Sequence, residues 1–210
     1  MTCIVGFTDK KNNVTWIGAD SLGSNGYTQD VESNPKVFRN KTLKNVIMGS
    51  TSTFRHIDLL KYNKTLFPEI DKYKISSGET VVNHEYMVTT FIPNIIKLFD
   101  EGVKESDKGG NFLVGIDGNL YEIQQDFSVL EPLNGYCAVG CGEVAAEGSL
   151  YATTKFFPDL NSFSPEQHIL CALEAAEKNC VGVHRPFVIM NTKNDEVITI
   201  GLDGKRHVKK

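Results

Sequence analysis

Between Asn111 and Gln124 two apolar runs, Phe112-Leu113-Val114-Gly115-Ile116 and Leu120-Tyr121-Glu122-Ile123, stand on either side of Asp117-Gly118. Asp-Gly is the pair a type I′ turn prefers, so the stretch predicts a β-hairpin. The same signature recurs along the chain. Thr2 to Thr8 alternates as a strand, with Cys3, Val5 and Phe7 on one face and Thr2, Ile4 and Gly6 on the other. A polar turn leads to a second strand over Val14 to Ala19, closed by Gly18-Ala19-Asp20-Ser21. Leu22 to Asn34 carries one irregular strand, and Pro35-Lys36-Val37-Phe38-Arg39 is extended, with proline at a strand's first position. Val46-Ile47-Met48-Gly49 is a further short strand. Phe187 to Met190 and Val197 to Ile200 close the chain as two strands, and Lys205 to Lys210 reads as a frayed basic tail.

Helical periodicity appears in two pairs. After the hydroxyl residues 50–53, a capping zone, Phe54, Ile57, Leu59, Leu60 and Tyr62 predict a helix over Phe54 to Phe67. Lys72 to Asn83 is polar and loop-like. Met87, Phe91, Ile95, Leu98 and Phe99 predict a longer helix over His84 to Lys104, kinked or split at Pro93. The second pair spans Glu143 to Phe157 and, from the capping box Ser164-Pro165-Glu166-Gln167, runs to about Asn179. Strands, two helices, strands, two helices, strands is not a βαβ alternation, so a doubly wound parallel sheet is excluded. The order predicts one α+β domain over residues 1–210, two mainly antiparallel sheets with helices on both outer faces.

Composition removes several functions. At 210 residues, 40% hydrophobic and 23% charged, the chain can bury a real core. A net charge of -4 gives no basic footprint for nucleic acid. No apolar stretch approaches the roughly 20 residues of a membrane span, and Asp9, Lys10 and Lys11 break the N-terminal apolar run, so neither a membrane nor a signal peptide is expected and the location expected is the cytoplasm. The five cysteines (Cys3, Cys137, Cys141, Cys171, Cys180) are read as buried thiols of a reducing compartment. Cys137 and Cys141 have no partner at ligand spacing, so no metal is expected.

The chemistry begins at Met1-Thr2-Cys3. Methionine aminopeptidase removes Met1 when the next side chain is as small as threonine. Thr2 would then carry both a hydroxyl nucleophile and, in its own α-amine, the base that activates it. The plainer alternative is a first strand with a surface threonine. Gly140-Cys141-Gly142-Glu143-Val144-Ala145 follows a strand and opens a helix, as a dinucleotide fingerprint does, but no strand follows that helix to present an acidic residue to a ribose. No cofactor is expected.

Thr2-Cys3-Ile4-Val5-Gly6, Gly18-Ala19-Asp20-Ser21, Lys36-Val37-Phe38 and Ala138-Val139-Gly140-Cys141-Gly142, in this order and spacing, resemble the proteasome β-subunit family of N-terminal nucleophile (Ntn) hydrolases, including the bacterial branches HslV and Anbu, and most nearly a divergent group of bacteria and phages. The resemblance implies a four-layer αββα sandwich and a threonine peptidase: Thr2 as nucleophile, Lys36 lowering the pKa of its amine, Asp20 holding Lys36, and the backbone N–H of Gly49 receiving the oxyanion. Cys141 stands where the family has a serine. Asn179 and Gly182 stand where it has an aspartate and a serine, so a charge and a hydroxyl are missing. Two alternatives therefore stay open: a non-catalytic proteasome-like subunit with a decayed site, and an Ntn amidase for a small amide. The family further implies a homo-oligomeric ring acting on peptide or protein substrates, with an ATP-driven unfoldase as partner. Taken alone, Lys36 reads as a solvated strand end, Asp20 as a turn residue and Cys3 as a small buried hydrophobe, or as a nucleophilic thiol should Thr2 also be removed.

Overall fold

Alternating apolar residues on both faces mark β1 (Cys3–Asp9) as a strand covered from two sides, and all seven of its residues are buried. In the computed structural model, which describes residues 1–24, 27–31, 33–41, 43–67, 82–104 and 108–209, β1 lies between β2 (Val14–Ala19) and β10 (Tyr136–Gly140), antiparallel to both. Beyond β2 follow β11 (Phe187–Asn191), β12 (Val197–Ile200) and β13 (Arg206–Lys209), giving a six-stranded sheet ordered β10-β1-β2-β11-β12-β13. The second sheet has five strands in sequence order: β5 (Val37–Arg39), β6 (Val46–Ser50), β7 (Phe112–Ile116), β8 (Asn119–Ile123) and β9 (Val129–Leu130). A small hairpin, β3 (Leu22–Ser24) with β4 (Gln29–Val31), stands apart.

Three apolar clusters define the layers. Ile4, Ile17, Val37, Ile47 and Leu113 fill the space between the sheets. The outer face of the five-stranded sheet is covered by α1 (Phe54–Tyr62) and by α2, a continuous helix made of His84–Tyr86, a π-helical turn Met87–Phe91 and Ile92–Gly102. Cys3, Val5 and Phe7 of the six-stranded sheet pack instead under α3 (Glu143–Phe156) and α4 (Pro165–Asn179). The result is the four-layer αββα sandwich, with β1 and β2 facing the second sheet and β1 also roofed by α4. Each fully buried large side chain, Phe91, Phe99 and Phe112 among them, contributes about 1.5–3 kcal/mol.

Several expectations are refined. At Pro93 the helix changes its hydrogen-bonding pattern: the π-helical turn Met87–Phe91, in which Ile92 N–H reaches back to Met87 O, gives way to the α-helical run Ile92–Gly102 with Pro93 in its first turn. The helix after Thr53 stops at Tyr62, where Asn63 N–H bonds Leu59 O. Of the polar loop expected over 72–83, residues 72–81 lie outside the described residues. Leu22 to Asn34 supplies a hairpin rather than one strand. The tail is not frayed: Gly204 (φ 74°) turns the chain back and β13 pairs with β12 from Val197↔Lys209 to Ile200↔Arg206. The Asp117-Gly118 hairpin forms, but only Asp117 takes a positive φ (50°). Tertiary contacts settle that turn: Asn13 Oδ1 accepts Gly118 N–H at 3.1 Å and Asn45 Nδ2 donates to the Asp117 carboxylate at 3.2 Å.

Candidate active site

Thr2 lies immediately before β1, Asp20 immediately after β2 and Lys36 immediately before β5. Antiparallel pairing of Ile4 with Ala19 sets the first two side by side, and the packing of the two sheets brings the third beneath them. All three are buried: Thr2 is 5% exposed, Lys36 2% and Asp20 0%. Lys36 is thus no solvated strand end, and Asp20 no free turn residue.

The Lys36 ammonium lies 3.0 Å from each Asp20 carboxylate oxygen and donates to Thr2 Oγ1 at 2.9 Å. The carboxylate also accepts the backbone N–H groups of Cys3 (2.9 Å) and Leu22 (3.0 Å). A lysine deprived of water is tolerable only with such a partner. Burial pushes the Asp20 carboxyl up and the Lys36 ammonium down from their usual values, and each opposes that drift in the other. Two backbone donors fix the carboxylate, so the lysine is aimed at one hydroxyl.

Met1 occupies the mouth of this arrangement. Its carbonyl accepts from Thr2 Oγ1, and from Lys36 Nζ at 3.4 Å. A pocket bordered by Met1, Thr2, Gly23, Lys36, Thr51 and Ile57 opens beside it.

The turn from β10 into α3 closes the site from the other side. Gly140 has φ 102°, and a Cβ there would meet Thr2 O at 2.3 Å, so both the backbone conformation and the close approach demand glycine. Thr2 N–H donates to Cys141 Sγ at 3.2 Å, and the thiol in turn donates to Thr2 O at 3.4 Å. Sulfur is a weaker partner than a hydroxyl, but it makes contact at both ends of the Thr2 backbone. Burial pushes the Cys141 thiol up, which keeps it protonated and able to donate. The same turn explains the glycine pattern without a nucleotide: Glu143 Oε2 accepts Gly140 N–H at 3.1 Å, and α3 leads into α4 rather than into a parallel strand.

Two positions behave differently from the rest. Asn179 is the last residue of α4; it is exposed, and its Nδ2 donates to Ala175 O at 2.8 Å, so it caps its own helix. Gly49 belongs to β6, and a Cβ on it would meet Ile4 Cγ2 at 2.4 Å. Ser50 N–H bonds Lys36 O and Thr51 N–H bonds Asn111 O. Alternation in an antiparallel ladder then sends Gly49 N–H to its register partner Leu113 on β7, away from Thr2. Its glycine is required by packing between the sheets. At Gly182 the missing side chain has a geometric counterpart: a Cβ would lie 2.5 Å from Met1 Cβ and 2.8 Å from Cys141 Sγ.

One neighbour escaped the sequence. Cys180 Sγ lies 3.3 Å from Cys141 Sγ across a separation of 39 residues, and Cys141 is exposed and Cys180 half-buried, unlike the buried Cys3 and Cys137. Among the described residues no group of three or more His, Cys, Asp or Glu is placed to hold a metal ion, and no helix is long and apolar enough to cross a membrane.

The architecture is that of the proteasome-type Ntn hydrolases. Solved structures that share it include eukaryotic HslV from Trypanosoma brucei (17% identity, 90% of this chain and 98% of that one, TM-score 0.61). Anbu, an ancestral β-subunit from Yersinia bercovieri, aligns at 12% identity over 97% of this chain and 89% of its own, with TM-score 0.68. BPH from Thiobacillus denitrificans, in its complex with epoxomicin, aligns at 14% identity over 90% and 97%, with TM-score 0.63. At such identities the likeness establishes the fold. No family model and no curated protein matches the chain.

Proposed function

We propose that the chain is an N-terminal threonine hydrolase acting on amide bonds, a proteasome-like peptidase once Met1 is removed. The observation that carries this reading is the 2.9 Å contact between Lys36 Nζ and Thr2 Oγ1, made by a lysine that is buried and held by Asp20. Any buried ammonium gains a hydrogen bond from such a hydroxyl; a base-activated nucleophile gains in addition a neighbour that stabilises its oxygen as the proton leaves.

With Met1 gone, the Thr2 nitrogen becomes a primary amine still facing Cys141 Sγ. The Lys36 ammonium disfavours a second positive charge, so the amine stays neutral near pH 7 and can serve as base. Thr2 Oγ1 attacks the substrate carbonyl as its proton passes to the amine. The tetrahedral adduct collapses, the amine protonates the departing nitrogen, and an ester on Thr2 remains. Water, deprotonated by the same amine, then cleaves the ester. Asp20 acts through Lys36 and touches no substrate. With Gly49 N–H engaged in the β6–β7 ladder, Ser50 N–H on Lys36 O and Thr51 N–H on Asn111 O, the oxyanion donor is assigned to the backbone N–H groups of Ser52 and Thr53, which border the pocket. Asn179 has no part in proton transfer. A homo-oligomeric ring, with an ATP-driven unfoldase as partner, belongs to the same proposal.

The seated Met1 favours a second reading for the unprocessed chain. Its carbonyl takes the Lys36 and Thr2 donors, and Gly182 leaves it room, so a chain that keeps Met1 is a non-catalytic subunit. An epoxyketone distinguishes the two, because it needs both the threonine oxygen and a free α-amine. Labelling of the wild type that is lost in Thr2→Ala supports the hydrolase; a chain lacking Met1 that no epoxyketone labels overturns it.

A further inference from the structure

We propose that Cys141 and Cys180 form a reversible disulfide, a redox modification site whose closure withdraws Cys141 from the Thr2 backbone. The two sulfurs already face each other at 3.3 Å, so a bond of about 2.04 Å asks them to close by roughly 1.3 Å. They sit at the ends of two helical connections: Cys141 in the turn before α3, Cys180 at the C-cap of α4. Both border one surface groove with Gly142, Val144 and Asn179, which gives an oxidant access. The other cysteines are not placed for this. Cys3 and Cys137 are buried, with thiols pushed far up by burial, and Cys171 is half-buried.

The chemistry is thiol–disulfide exchange with a small-molecule disulfide such as oxidised glutathione. One protein sulfur attacks it and releases one glutathione thiol. The second protein sulfur then displaces the other glutathione, so two protein thiols are oxidised and one glutathione disulfide is reduced to two thiols, which take up both protons. In the product Cys141 has no S–H. Its bond to Thr2 O, at 3.4 Å in the dithiol form, is lost, and its sulfur is drawn from Thr2 N toward α4. The site would be intact in a reducing cell and loosened under disulfide stress.

The existence of the disulfide is independent of the threonine hydrolase reading; only its effect on reactivity rests on that reading. The experiment equilibrates the full-length protein in buffers of reduced and oxidised glutathione, traps free thiols by alkylation, and measures intact mass and the cross-linked peptide. A Cys141–Cys180 peptide that disappears on return to reduced glutathione, and that Cys180→Ser abolishes while Cys171→Ser does not, is the expected result. Two free thiols, or separate glutathione adducts on Cys141 and Cys180, at equilibrium with excess oxidised glutathione would overturn it. On the same samples epoxyketone labelling of Thr2 should slow roughly 10- to 100-fold on oxidation, the scale for a displacement of about 1 Å at a reacting group, and Cys180→Ser should be insensitive. Equal labelling in both states sinks the withdrawal of Cys141. No labelling in either state of a chain whose intact mass lacks Met1, with the disulfide present, refutes the threonine nucleophile instead.

Discussion

Replacing Lys36 with methionine keeps most of the length of the unbranched side chain and deletes its charge, which isolates the ion pair at the centre of the site. Both partners are buried, Lys36 2% and Asp20 0% exposed, so solvent screens little of their interaction. Removing one member of a buried pair costs about 3–5 kcal/mol, because the other charge is left behind. Asp20 keeps the N–H groups of Cys3 and Leu22, which places Lys36→Met near the lower end, about 3 kcal/mol at pH 7. Asp20→Asn in that background removes the orphaned charge, so the double variant should be more stable than the sum of the singles implies, by about 2–3 kcal/mol. The pH dependence has a definite sign. Burial raises Asp20, and without Lys36 its folded-state pKa rises further above the unfolded value of about 3.9. The folded state then binds the extra proton, so the deficit is absent below that unfolded pKa and opens as pH rises through the folded one. Urea unfolding followed by circular dichroism, from pH 4 to pH 8, measures both quantities. A loss under about 1 kcal/mol at pH 7, independent of pH, would refute the reasoning by showing that no buried charge had been uncovered.

Gly49→Ala should cost about 1–3 kcal/mol in the same assay, since its Cβ would meet Ile4 Cγ2 at 2.4 Å inside the inter-sheet core; a neutral result would mean the sheets can part there freely. Ser164→Ala removes the cap of α4, with both capping-box bonds present, and should cost about 1 kcal/mol of unfolding free energy. His168 stacks on Phe7, donates or accepts at Nδ1 with Thr153, and has its Nε2 without a hydrogen-bond partner among the described residues. Burial lowers its pKa, so its contribution is present above the unfolded value of about 6.5 and is lost as pH falls. His168→Gln should therefore flatten the stability profile between pH 7 and pH 5, measured by thermal unfolding; an unchanged slope would locate the acid sensitivity elsewhere.

The elements that alternation or helical period could mark were legible. Cys3, Val5 and Phe7 on one face of β1, the α2 stripe and the Ser164 capping box all reflect local pattern. β13 was not, because Arg206 to Lys209 is polar and exposed and forms a strand only by pairing with β12. The π turn Met87–Phe91 was not legible either, because its apolar spacing reads as ordinary helix. Within the site, Thr2 was named by its place behind Met1, and Asp20 and Lys36 by resemblance; residue type alone leaves Lys36 looking like a surface residue. What residue type could not supply was direction. The side of β6 to which Gly49 turns its N–H depends on register with β7, and Asn179 is spent on its own helix. Cys180 next to Cys141 is a purely tertiary fact, since nothing local links residues 39 apart.

Intact mass combined with epoxyketone labelling, on the wild type and on Thr2→Ala, tests the proposed nucleophile most directly. The expected result is a wild-type mass lacking Met1, with an adduct mapped to Thr2 and absent from Thr2→Ala. A mass lacking Met1 with no adduct from any epoxyketone, while Lys36 still stands 2.9 Å from Thr2 Oγ1, would contradict it and leave the site a structural ion pair.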